Sequence, residues 1–280
     1  MNKVDKLISY TQDIINGSCK NKHYNSVFFH SNENLNAIFN EVDVSGKDVL
    51  TVLSSGDQAF HLYDKGAKSV DFFDINNFTL YYFYLRVWTI KYLNQYYPNL
   101  YFKNNFLEKV LLHVKPSGDE EKIVYEYWKK FLWYFKDCSD YALEELFIVG
   151  YNRFRNKIFD LSKVKSRIDD EKYNFYNIDL SEEVHLDKKY DVIFVSNIGD
   201  RIRGIIYSDE RNLCKLEIYK NNMLNLLKDD GIVICTNVVR KGGSKEESKV
   251  FSSDFSKTDL KEVCYECEKK SPGYVYKRVR

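Results

Sequence analysis

Proline and alanine are both scarce in this chain, at 3 and 4 of 280 residues. So little proline leaves few forced breaks, and long uninterrupted helices and strands are open to it. Nothing approaches the ~18 consecutive apolar residues that span a bilayer. The polar start, MNKVDKLISYTQD, lacks the apolar stretch of a secretory signal. We therefore expect a cytoplasmic protein with no membrane span. Neither charge sign dominates: 42 lysines and arginines stand against 41 aspartates and glutamates, a net +1. Without a long basic run there is no electrostatic footprint for nucleic acid. Metal-ligand spacing is missing too. Histidines 23, 30, 61, 113 and 185 show no paired spacing. Of the six cysteines only Cys264 and Cys267 are close, which supplies half of the four ligands of a structural zinc site. No metal is expected.

What is present is a repeated alternation. Short apolar runs occur at Val49 to Leu53, Val70 to Phe73, Tyr173 to Ile178, Val192 to Val195 and Ile232 to Cys235. Nearly continuous apolar runs of this length fit strands buried on both faces, as in parallel sheets. Helical patterns separate them: Gln58 to Lys65, stopped by Gly66; Asn76 to Gln95, stopped before Pro98; and a face marked by Leu216, Tyr219, Met223 and Leu226, ending before Gly231. Strand and helix in alternation predict an α/β fold, a Rossmann-like open, mostly parallel sheet with right-handed crossovers. Residues 1–45 read as an N-terminal helical and polar extension, with a helix from Val4 to Ile15. Residues 46–280 read as the sheet domain. About 75 residues separate the helix ending near Gln95 from the strand at Tyr173, and we expect a helical insertion over about 99–170. Val124, Trp128, Phe131 and Phe135 mark one helix in it, packed against the main domain; 141–147 and 152–164 look helical as well. The tail beyond a charged loop at 241–248 could supply closing antiparallel strands.

In such a sheet, ligands bind beyond the carboxyl ends of the strands, where the strand order switches. Residues that directly follow each apolar run are therefore the informative ones. After the first run comes Ser54, Ser55, Gly56, Asp57 and Gln58, a turn of small residues entering a helix, where backbone N–H groups can approach a ligand. After the second come Asp74 and Asn76; Asp74 stands 18 residues beyond Gly56, where an acid can accept hydrogen bonds from both hydroxyls of a ribose. Asp179 follows the third run, and Ser196 and Asn197 follow the fourth. Four polar edges on one rim point to a nucleoside site. The dinucleotide fingerprint G-x-G-x-x-G and the P-loop pattern are both absent, which disfavours NAD and nucleoside triphosphates. A ligand with a ribose and no phosphate, such as S-adenosyl-L-methionine (SAM), needs neither.

At these residues a resemblance appears. VLTVLSSGDQ at 49–58, followed by Gly66 to Lys68 and by Asp74 to Asn76, resembles the first two SAM-binding motifs of class I methyltransferase-like proteins. More narrowly it resembles the branch related to the SAM:diacylglycerol 3-amino-3-carboxypropyl transferases, which carries a similar turn; YDVIFVSN at 190–197 resembles its fourth-strand motif. The match covers roughly 45–95 and 170–240. Two departures from ordinary methyltransferases stand out: Thr51 occupies the place of an acid, and Gly56 alone remains of the glycine-rich turn. The resemblance implies that Ser54, Ser55, Gly56 and Asp57 wrap the methionine portion of SAM. Asp74 would bind the ribose, Asp179 would face the adenine amino group, and Ser196 and Asn197 would line the sulfonium region. It implies a transferase moving a methyl or a 3-amino-3-carboxypropyl group to a small-molecule or lipid-like acceptor. Two alternatives stay open: an ordinary methyltransferase, and a non-catalytic SAM-binding protein whose insertion docks a partner. Asp57, His61 and Tyr24 are candidates for a general base.

Overall fold

The computed structural model describes residues 2–16, 27–31, 33–97, 106–135, 146–148, 160–170, 173–199, 202, 213–236, 250–266 and 269–279. The five apolar runs become five parallel strands of one sheet: β2 (Asp48–Val52), β3 (Ser69–Phe73), β5 (Phe175–Tyr176), β6 (Tyr190–Ser196) and β7 (Leu227–Thr236). The tail forms β8 (Phe255–Glu266) and β9 (Lys269–Arg278), and β9 runs antiparallel to both β7 and β8. The order across the sheet is β5-β3-β2-β6-β7-β9-β8. The chain moves outward from β2 through β3 to β5, then returns to the other side of β2 to lay down β6 and β7. The switch in strand order therefore lies between β2 and β6, the place where open α/β sheets bind ligands.

Both faces of the sheet are covered, and the side chains show why. Along β6, Val192 and Phe194 enter one apolar cluster while Ile193 and Val195 enter a second. Along β7, Ile234 joins the first cluster, and Val233 and Cys235 the second. This is the two-residue period of a strand with an apolar layer on each side. The first cluster takes residues from α1 (Lys3–Ile15), α2 (Leu35–Glu41), α3 (Asp57–Asp64), α4 (Phe78–Leu93), α5 (Phe106–His113), α6 (Asp119–Phe135) and α7 (Leu161–Asp170). The second is built mainly by α8 (Leu213–Leu226) and the loop at 180–186. Two short strands, β1 (Val27–Phe28) and β4 (Phe147–Ile148), pair in parallel outside the main sheet.

The aromatic stripe at 124–135 lies on α6 and is buried. Its Trp128 Nε1 donates to the carbonyl of Tyr81 at 2.9 Å, and Tyr127 meets Tyr81 edge to face, so the stripe packs on α4. Of the two other helices expected between α4 and β5, residues 141–145 and 152–159 lie outside the described residues. Phe147 and Ile148 are strand, not helix, because they pair with β1. Residues 161–164 do fall in a helix, α7. The α8 helix stops earlier than expected, at Leu226, and β7 begins at the next residue. No described helix is long and apolar enough to cross a membrane.

Candidate functional site

The turn after β2 is shaped by backbone strain. Ser54 sits at φ +45° and Gly56 at φ +83°, and Gly56 N donates to Leu53 O at 2.6 Å. A Cβ at Gly56 would lie 3.0 Å from the ring of Phe83, so both the left-handed backbone and the space require glycine. On the far side of the sheet switch, Ser196 ends β6 at φ +54°. Among the described residues the only other non-glycine with positive φ is Asn94, which terminates α4. The two strained serines thus sit at the carboxyl ends of the two central strands, where strain commonly marks a functional turn.

Asp57, the first residue of α3, is wholly buried and its carboxylate is already engaged. Its Oδ1 accepts from Arg86 Nη1 at 2.8 Å and from Tyr96 OH at 2.7 Å; Oδ2 accepts from Ser31 N at 2.6 Å and Ser55 Oγ at 3.2 Å. Tyr97 OH reaches both oxygens. Burial pushes the Asp57 carboxyl up, but the Arg86 charge and these donors outweigh it and hold it below the usual range. Arg86 is equally buried, and its Nη1 also donates to Ser55 O at 2.7 Å. The rings of Phe60, Tyr96 and Tyr97 stand 4.6–4.8 Å from its guanidinium carbon. Asp57 therefore anchors the turn from beneath, and Ser55, also buried, is part of the same anchor. Arg86 escaped the sequence reading, although a lone arginine in the apolar helix FTLYYFYLRVWTIKYL was a signal that a buried anion must face it.

Asp74 lies beside this turn. Its Oδ2 accepts from Ser54 N at 3.0 Å, and Oδ1 accepts from Asn76 N at 2.9 Å. The acid after β3 is thereby tied to the turn after β2. Among the described residues no lysine or arginine pairs with it, and burial raises its carboxyl to about 6. Asn76 is occupied as a cap: its Oδ1 accepts from Phe78 N at 2.9 Å at the start of α4. Beyond β5, Asn177 Nδ2 donates to Asp74 O and Ile75 O at 2.8 and 2.9 Å. Asp179 is exposed and closes a local turn, accepting from Ser181 N at 2.8 Å.

The β6 and β7 side holds a residue that composition and spacing did not reveal. Glu33, 1% exposed, reaches over the strand ends from the segment before α2. Its Oε1 accepts from Ser196 Oγ at 2.5 Å and from Thr236 Oγ1; its Oε2 accepts from Ser31 Oγ at 3.1 Å and Gln58 Nε2 at 3.0 Å. Asn197 follows Ser196 in a half-buried turn. Of the other base candidates, His61 is fully buried within α3, with burial lowering it to about 4 and no hydrogen-bond partner for either ring nitrogen among the described residues. Tyr24 lies outside the described residues. No cluster of metal-ligating side chains occurs among the described residues. A cavity of about 320 Å³ lies between α8 and the 183–185 loop and shares no residue with this rim.

No family model matches this chain, and no curated protein matches it. Solved structures resemble it in outline. The N-methyltransferase NodS of Bradyrhizobium japonicum, in complex with S-adenosyl-L-homocysteine, is 7% identical, covering 88% of this chain and 84% of its own, with a TM-score of 0.45. The glycopeptide N-methyltransferase MtfA, complexed with the same product, is 10% identical over 90% and 92%, TM-score 0.45. The magnesium protoporphyrin IX methyltransferase ChlM of Synechocystis, with bound SAM, is 11% identical over 100% and 85%, TM-score 0.38.

Proposed function

We propose that this protein is a SAM-dependent transferase that moves a methyl or a 3-amino-3-carboxypropyl group to a small-molecule or lipid-like acceptor. The observation that carries the reading is the 3.0 Å hydrogen bond from Ser54 N to Asp74 Oδ2, beside the switch in strand order. It joins a turn without a phosphate-binding fingerprint to an acid set for a ribose. An oxygen accepting one N–H keeps a second lone pair for a sugar hydroxyl. The positions of the other residues divide their roles. Ser54, Gly56, Asp74, Ser196 and Asn197 are at the rim where a ligand lies. Ser55, Asp57 and Asn76 hold that rim in shape. In this reading the adenine extends from Asp74 toward the end of β5, past Asn177 and Asp179.

SAM supplies its own activation, because its positive sulfur makes three attached carbons electrophilic. The chain's task is to hold the acceptor in line, and positioning of that kind supplies ~7–11 kcal/mol. Attack on the methyl leaves S-adenosylhomocysteine, whereas attack on the γ-carbon leaves methylthioadenosine. Incubating the purified protein with SAM and cell extract, then identifying the product by mass spectrometry, separates these two. Binding of SAM with neither product would make it a non-catalytic SAM-binding protein, and no binding of SAM or S-adenosylhomocysteine would overturn the reading.

A further inference from the structure

Resting on the reading that this rim holds SAM, we propose that Gln58 and Glu33 form the receptor for the ligand's primary ammonium group, at its amino-acid end. Gln58 is the second residue of α3 and is 1% exposed. Its Nε2 donates to Glu33 Oε2 at 3.0 Å, which fixes the amide, since the reversed orientation would set a carbonyl oxygen against a carboxylate. Gln58 Oε1 is left buried with no hydrogen-bond partner among the described residues. A buried amide oxygen without a donor is costly and has room for one that the described residues do not supply.

Three features define that partner. The group must donate, because the orphan atom is an acceptor. A cation suits the place, because the amide is itself hydrogen-bonded to a carboxylate, that of Glu33. Its place along the rim follows from strand order: Asp74 stands on the β3 side of the Gly56 turn, while Glu33 reaches Ser196 and Thr236 on the β6 and β7 side. A ligand whose sugar meets Asp74 thus sends its other end toward Gln58 and Glu33. In SAM that end carries one strong cationic donor, the α-ammonium. Glu33 and Gln58 are then binding residues for the amino-acid arm, and the site discriminates ligands by that charge.

Calorimetric titration tests this with S-adenosylhomocysteine, its analogue lacking only the amino group, and methylthioadenosine, which lacks the whole arm. The wild-type protein should prefer S-adenosylhomocysteine over the deaminated analogue by at least about tenfold. Glu33→Gln and Gln58→Met should each erase most of that preference while leaving methylthioadenosine within about twofold, with circular dichroism confirming the fold. Equal wild-type binding of the first two ligands overturns the proposal without any variant. Full preference kept in both variants overturns it too, while SAM binding itself stands. Failure of the wild-type protein to bind any of the three removes the SAM reading with it.

Discussion

Two acids at opposite ends of the central sheet, Asp48 and Asp74, sit in opposite settings. At the amino ends of the strands, Asp48 and Asp191 share Lys228 at 2.7 and 2.9 Å, and Lys68 stands 3.6 Å from Asp48. The hydrogen bond from Lys228 is the main reason the Asp48 carboxyl falls to about 2. At the carboxyl ends, Asp74 is held by backbone N–H groups and the Thr79 hydroxyl, with no cation among the described residues, and burial lifts it to about 6. A neutralised acid is a strut; an acid held without a cation at a strand end is poised for a ligand that brings donors. The backbone makes the same distinction, because the strained serines lie at the carboxyl ends.

The largest effect should come from beneath the rim. Arg86→Met leaves Asp57 buried and uncompensated, and should lower the unfolding free energy by ~3–5 kcal/mol, read by urea denaturation. A loss under ~1 kcal/mol would show that the pair does not anchor the turn. Next is Asp74→Asn, which should weaken SAM binding by ~1.5–3 kcal/mol in a calorimetric titration. The same acid sets a pH dependence. Raised to about 6, Asp74 is protonated below that value and accepts poorly, so wild-type SAM affinity should rise as pH climbs from about 5 to about 7. Asp74→Asn should flatten that rise. Gly56→Ala forces a left-handed alanine against Phe83 and should cost ~1–2 kcal/mol of stability. Smallest is Asp48→Asn, at ~1 kcal/mol for a partly solvated pair and with no change in SAM affinity. Its folded value is depressed, so its contribution is present above about 4 and is lost as pH falls through about 2. If Asp48→Asn weakened binding as much as Asp74→Asn, the contrast between the two ends would collapse.

Much of this fold is legible in the chain. The five apolar runs lie on the five parallel strands, and the helix after Gly56 ends one residue before Lys65, with Gly66 at φ +81° just beyond. The weakest was the third run, where only Phe175 and Tyr176 pair, since an edge strand needs little apolar content. At the rim, the positions of Ser54 and Gly56 just past β2, Asp74 directly after β3 and Ser196 at the end of β6 were readable, because each lies where an apolar run stops. Glu33 was not, for it comes from a polar segment with no period, and only folding carries it across the strand ends. Asp57 read as a ligand residue from its place in the turn; that Arg86, Tyr96 and Tyr97, 29 to 40 residues away, engage its carboxylate was not readable.

Local pattern alone located the five parallel strands and the helices α3, α4 and α6, because burial on both faces and helical periodicity are properties of neighbours in the chain; β4 instead formed by pairing with β1 where a helix was expected. It also settled that an acid would stand beside a small-residue turn. Tertiary structure alone decided which carboxylates would be neutralised: Asp48 by Lys228, Asp57 by Arg86, and Asp74 by no described cation. The charge state of an acid depends on what folding places within a few ångströms of it, and those neighbours are distant in sequence.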